Sequence, residues 1–285
     1  MSDTLSHAST AIRRRPVDAS SLNGPGGSPT QSLDRALELL DVVVGHTATG
    51  ISLGSLAAIV GLSKPTAHRL LSGLRSAGMI DYEPGSRRYH PAFKLYSMGQ
   101  AASGRFDVIH LAAASLERLA EDTADSVFLT ARSGDFAVCV ARRSGGFPIK
   151  ASIGDIGDVR PLGLGADGLV LLAALPDSEV ERNLERHREA IAATPRCGAD
   201  EIRRQVSVVR ELGHGFAEAA GSAEISALAV GIRGANQQVE ATISVVAIAS
   251  RLTQPRRSSV LQQVLMEVEA VERLMRDRAD SRRAA

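Results

Sequence analysis

The stretch SLGSLAAIVGLSKPTAHRLLSGLRSAGMIDYEPGSRRYH, residues 52–90, decides the architecture of the N-terminal third of the chain. Ser52 is placed to cap a short helix carrying Leu53, Leu56, Ala57 and Val60. Gly61 ends it, because glycine reaches positive φ without a steric penalty. Leu62 tucks into the core between two helices, and Ser63 caps the second one. Lys64 and Pro65 fall in its first turn, where the missing proline N–H leaves no helical bond unmade. Leu70, Leu71 and Leu74 supply a buried stripe, and Gly78 is the stop. Residues 79–82 alternate like a strand, Pro84-Gly85-Ser86 is a turn, and 88–90 can return as a second strand. Two short helices across a tight turn, followed by a β-hairpin, make a winged helix-turn-helix.

Outward from this block the pattern extends in both directions. Upstream, Ser32 is the expected N-cap of an amphipathic helix with Leu33, Ala36, Leu37, Leu40, Val43 and Val44 at helical spacing, and 46–51 reads as a loop. Residues 1–30 carry almost no apolar periodicity and read as a disordered tail, since they offer too little apolar surface to offset ordering entropy. Its Arg13, Arg14 and Arg15 can meet phosphates or remain solvated. Downstream, a helical pattern over 93–102 links to a second region, giving expected boundaries of 31–93 for the winged helix-turn-helix, 94–106 for a linker helix, 107–278 for a second domain and 279–285 for a C-terminal tail. Within 107–278 the periodicities predict a helix over 107–120, strands over 127–130, 136–141 and 149–153, and an apolar helix over 167–175. Polar amphipathic helices follow over 179–193 and 200–212, then strands over 226–232 and 239–249 and a long helix over 260–275. Helices mixed with hairpins indicate an α+β domain with a mostly antiparallel sheet.

Composition narrows the function classes. The 285 residues are 44% hydrophobic and 23% charged, with a net charge of +1. That near-neutrality hides a split: residues 1–105 hold 11 Lys/Arg against 7 Asp/Glu, and residues 106–285 hold 22 against 25. The basic excess lies with the helix-turn-helix, where nucleic acid would be met. No apolar run is long enough to span a bilayer, no secretory leader pattern opens the chain, and two cysteines cannot form a disulfide framework, so a cytoplasmic protein without membrane partners is expected. Cys139 lies in an apolar run and reads as a small core residue. His187 and His214 stand on polar segments and read as solvated. No metal-ligand or nucleophile spacing has a supporting context, so neither a metal, a cofactor nor an enzyme is expected.

Two sets of residues carry chemistry. A recognition helix meets base edges with its N-terminal side chains, here Ser63, Lys64, Pro65, Thr66, His68 and Arg69. Arginine pairs bidentately with guanine and a threonine methyl meets a thymine methyl, while Arg87 and Arg88 at the hairpin tip suit phosphates or a minor groove. Each of these is otherwise an ordinary surface side chain, and His68 fits either description. The second set is Gly163-Leu164-Gly165-Ala166-Asp167-Gly168, literally G-x-G-x-x-G. A dinucleotide site would need a buried strand before it and a parallel strand after the helix, and the sequence offers neither. A glycine loop at a helix N-terminus can still present N–H groups to an anion, or serve only as a tight structural loop.

With these residues identified, the chain resembles the IclR family of bacterial transcriptional regulators. The similar stretches are QSLDRALELLDVV (31–43), residues 52–99, PLGLGADGLVLLAALPD (161–177) and ISALAVGI (225–232), of which the Ser63–Leu71 run, SKPTAHRLL, is the most specific. The resemblance implies a winged helix-turn-helix joined by a helix to a GAF/PAS-like effector domain. It also implies homodimers or homotetramers on double-stranded operator DNA, and a small, often carboxylate-bearing, effector. It places effector contacts at Leu162, Gly163, Gly165, Ala166 and Gly168, with Glu218 as counterpart of the family's acid and Ser226 and Ala227 at the strand start. The chain departs from the family at Gly163, where histidine is usual, at Leu169, where lysine is usual, and at Gly231, where proline is usual. Two other functions fit less of the sequence: an enzyme that uses the winged helix as an interaction module, and a ligand-independent DNA binder.

Overall fold

A computed structural model describes residues 30–103, 107–194, 197–218 and 224–284. Residues 1–29, with the three tail arginines, lie outside it. The described chain divides into two compact units, the first closing with the helix that ends at Ser103 and the second opening at Asp107.

The first unit runs α1 (Gln31–Val44), β1 (Ile51–Ser52), α2 (Leu53–Ile59), α3 (Lys64–Ser76), β2 (Ile80–Glu83), β3 (Arg88–Pro91) and α4 (Phe93–Ser103). Its core is small: Leu39, Val42, Val43, Ile51, Leu56, Leu71, Ile80 and Tyr89. Leu71 is the buried member of the expected stripe, while Leu70 and Leu74 pack at its margin. α1 begins earlier than expected. Thr30, not Ser32, occupies the cap position, and its Oγ1 donates to the Asp34 carboxylate at 3.3 Å. The wing has a third strand as well: Ile51 pairs with Tyr89 and Ser52 with Arg88. Two residues are too few for a periodicity to show, which is why 46–51 reads as loop throughout.

The second unit holds α5 (Asp107–Leu111), α6 (Ala113–Thr123), β4 (Ser126–Ser133), β5 (Phe136–Ser144), β6 (Val159–Pro161), α7 (Gly165–Ala173), α8 (Asp177–Arg186), α9 (Arg188–Ala192), α10 (Ala199–Leu212), β7 (Gly215–Glu218), β8 (Ile225–Arg233), β9 (Val239–Ile248) and α11 (Arg256–Ala284). Its strands form one antiparallel sheet in the order β6-β5-β4-β9-β8-β7. The α+β expectation therefore holds. The sheet is apolar on both faces. One face carries Phe128, Ala137, Cys139, Ala227, Ala229 and Val246 under α7, α8 and α10. The other carries Val127, Leu129, Leu228, Val230, Ile243 and Val245 under α5, α6 and α11.

Two expectations are corrected here, and one is met. The third strand is Val159–Pro161, not 149–153. Ile149 is exposed, and Ser152 and Asp158 bond to nearby backbone, which holds the intervening loop in turns instead of a ladder. The tail expected from 279 is helix through Ala284, in a segment rich in arginine and alanine, both strong helix formers. β6 is an antiparallel edge strand, so the glycine loop after it belongs to no dinucleotide-binding unit. The start of α11 is anchored by Asp125, whose buried carboxylate accepts from Arg251 at 2.8 Å and Arg256 at 2.6 Å.

Candidate nucleic-acid interface and ligand site

The start of α3 is built by its cap. Ser63 has extended backbone, and its Oγ accepts the Thr66 N–H at 3.3 Å and lies 2.8 Å from Thr66 Oγ1. Ser52 caps α2 in the same way through the Ser55 N–H. Gly61 at φ +68° makes the turn between the helices. Ala67 and Leu71 face the core, which leaves Lys64, Pro65, His68 and Arg69 exposed. Among the described residues neither Lys64 nor Arg69 has an ion-pair partner. Ser63 and Thr66 are engaged with each other at the helix end, in the place where a phosphate or base edge would meet them.

The two wing arginines separate. Arg87 stands exposed in the β2–β3 turn at φ +55°. Arg88 turns back: its Nη1 donates to the carbonyl of Gly50 at 2.9 Å and more weakly to that of Thr49. It braces the loop before β1 and is not free at the tip.

The glycine loop is closed on itself. Gly163 adopts φ +90° and its N–H donates to the Gly168 carbonyl at 2.9 Å. A Cβ on Gly163 would lie 3.0 Å from Leu172 and 3.1 Å from Ile202, so the usual histidine would be strained at this positive φ and would require both neighbours to shift. Asp167, in the first turn of α7, is fully buried; it accepts from Arg160 at 2.6 Å and from Thr130 at 2.8 Å. The chain thus places its own carboxylate in the field of the helix N-terminus. Leu162 and Ala166 are core residues. The tight structural loop is the reading that the geometry favours over an anion cradle.

Strand parity divides the remaining residues expected to meet an effector. Ala227 faces α7 in the same core as Ala229 and Val246. Ser226 is one residue away and points to the other face, directly opposite Glu218 in the β7–β8 register. Glu218 and Ser226 are therefore separated by the sheet from Leu162, Gly163, Gly165, Ala166 and Gly168.

The α7-facing side holds polar residues that the sequence reading missed. Phe128 is flanked in register by Arg142 on β5 and Ser244 on β9, and Ser126 lies one step along the same face of β4. Arg142 stacks 5.4 Å over the Phe128 ring and bonds Asp155 at 3.2 Å. Ser126 Oγ, Ser244 Oγ and Arg142 Nε are buried without a hydrogen-bond partner. Leaving such a group unmatched costs about 1–3 kcal/mol, so three on one face mark a place that a polar ligand would satisfy. The signal was available: Ser126 and Ser244 are small hydroxyl residues set into otherwise apolar strands. Cys139, on the same face, has its thiol pushed up to about 11 by burial, with nearby Asp167 and Asp158 adding to the shift against the opposing Arg160 and Arg142. It is a neutral core thiol at physiological pH. His187 is half-buried with its ring edge-on to Phe136 at 4.9 Å, not solvated as expected, and burial lowers its pKa.

The comparisons with known proteins follow this division. The family model "IclR helix-turn-helix domain" matches residues 32–84, and "Bacterial transcriptional regulator IclR C-terminal" matches residues 100–273. The DNA-binding transcriptional repressor YiaJ of Escherichia coli is 27% identical over 250 residues, covering 87% of this chain and 88% of its own. Among solved structures, an IclR transcriptional regulator from Alicyclobacillus acidocaldarius superposes with a TM-score of 0.72 at 23% identity, covering 87% of this chain and 98% of its own. An IclR homologue from Microbacterium hydrocarbonoxydans, crystallised with 4-hydroxybenzoate, has a TM-score of 0.71 at 18% identity, covering 86% of this chain and 99% of its own. No helix among the described residues is long and apolar enough to cross a membrane.

Proposed function

The chain belongs to the IclR family of bacterial transcriptional regulators, and from that premise we propose that α3 and Arg87 read a double-stranded operator while the α7-facing side of the sheet senses a small carboxylate-bearing molecule. The observation that carries the DNA reading is the exposed row Lys64, His68 and Arg69, without ion-pair partners among the described residues, on a capped helix whose other side is fixed in a core. Arg69 reaches a base edge; Lys64 and Arg87 neutralise phosphates. The ligand reading rests on Arg142, Ser126 and Ser244: one cation and two hydroxyls against an aromatic ring suit a carboxylate on an apolar body. A related protein crystallised with 4-hydroxybenzoate, a molecule of that kind, supports it.

The working assembly is an even homo-oligomer in the cytoplasm. Leu33, Leu37 and Val44 are exposed on α1, as are Phe93, Tyr96 and Met98 on α4, an amount of exposed apolar surface that a small unit covers by self-association. Residues 31–93 form the reader, 94–106 the linker and 107–278 the sensor. Regulation, with no catalysed turnover, is the role assigned to the sensor. Footprinting of the full chain on the promoter regions beside its own gene, across a salt series, tests the reader. A discrete footprint should weaken by a slope of about 0.9 per neutralised phosphate on logarithmic axes. Protection that ignores sequence would refute it. Adding 4-hydroxybenzoate, then other small carboxylates, tests the sensor: one of them should shift operator affinity, and Ser244→Ala should blunt that shift.

A further inference from the structure

The opposite face of the sheet carries an open cavity of about 440 Å³, lined by Phe216, Glu218, Ser226, Leu252, Gln254 and Arg257 among others. It opens at the surface between the β7–β8 edge and the start of α11, on the face of the sheet away from α7, with Glu218, Thr253 and Gln254 exposed at its rim. Its volume is in the range of small-molecule sites. The polar groups around it are not spent on one another. Ser226 is 2% exposed and turns its hydroxyl-bearing side chain to this face of the sheet. Arg257 stacks over the Phe216 ring at 4.5 Å, which holds the guanidinium without neutralising it. Neither Arg257 nor Glu218 has an ion-pair partner among the described residues, although both line the same cavity. Gln254 accepts from Ser258 through Oε1, leaving its amide N–H₂ as a donor.

A cation and a carboxylate that are unpaired among the described residues, in one cavity with an aromatic ring and a leucine between strand and helix, are complementary to a molecule bearing both charges. We propose that this cavity binds a free α-amino acid, its carboxylate on Arg257 with help from Ser226, its ammonium on Glu218, and its side chain against Phe216 and Leu252. The site is distinct from the carboxylate site proposed above, because the sheet separates them. A ligand here touches the strand β8 whose other residues line the α7 side, and it touches the first turn of α11.

The test is isothermal titration of the full chain with each of the twenty standard L-amino acids, and with acetate and ethylamine as single-charge controls. At least one amino acid should bind, at least tenfold more tightly than either control. Arg257→Ala and Glu218→Gln should each weaken that binding by at least tenfold, with the unliganded melting temperature and operator footprint retained as evidence of folding. Absence of binding by all twenty at millimolar concentration, unchanged affinity in either variant, or acetate binding as tightly as the amino acid would overturn the proposal.

Discussion

In the N-terminal unit the polar groups that matter project outward from α3 and are positioned by residues next to them in sequence, whereas in the C-terminal unit they are buried and brought together from β4, β5, β9 and α7. Ser63 sets the direction of α3 through a bond to Thr66. Asp167, by contrast, is held by Thr130 and Arg160 from two other strands. The first arrangement can vary its surface chemistry without touching its core. In the second, every polar group is also a stability term, so binding and folding are coupled.

That contrast can be broken most sharply at Asp167. Asp167→Ala leaves the Arg160 guanidinium, only 12% exposed, without its partner and should cost about 3–5 kcal/mol in denaturant unfolding. A loss below about 1 kcal/mol would mean that the pair is not a structural element. Arg69→Ala should leave unfolding unchanged and weaken operator binding by about 1–3 kcal/mol, with relaxed preference at one base position. Ser63→Ala, which removes the local cap, should cost about 1 kcal/mol of stability. Ser244→Ala should do the reverse: deleting a buried hydroxyl with no protein partner should be neutral or stabilising by up to about 1 kcal/mol, while impairing effector response. The smallest difference is in the wing, where Arg87→Ala should lower the salt dependence of DNA binding by about one phosphate, and Arg88→Ala should not.

The same contrast explains what could be read from sequence. Caps, glycine stops and the proline in the first turn of α3 act over three or four residues, so Ser52, Gly61, Ser63 and Gly78 were legible one by one. The sheet was legible as strands but not as faces. Ser226 and Ala227 are adjacent in sequence and sit on opposite sides of the sheet, and grouping them with the Gly163 loop required knowing the parity of β8. Arg142 was silent for a related reason: its role follows from pairing with Phe128, and a register shift at Leu129/Thr130 lies between them and the β4–β5 turn. The very short β1 and the edge strand β6 carry no periodic signal and are fixed by tertiary pairing alone.

The most direct test of the account is the ratio of affinities of the full chain for its footprinted site and for a scrambled duplex of equal length, measured by fluorescence anisotropy at physiological salt. A specific reader built on α3 predicts a ratio on the order of 10³ or more. A ratio near one would contradict it and leave the winged helix-turn-helix without operator recognition as its task.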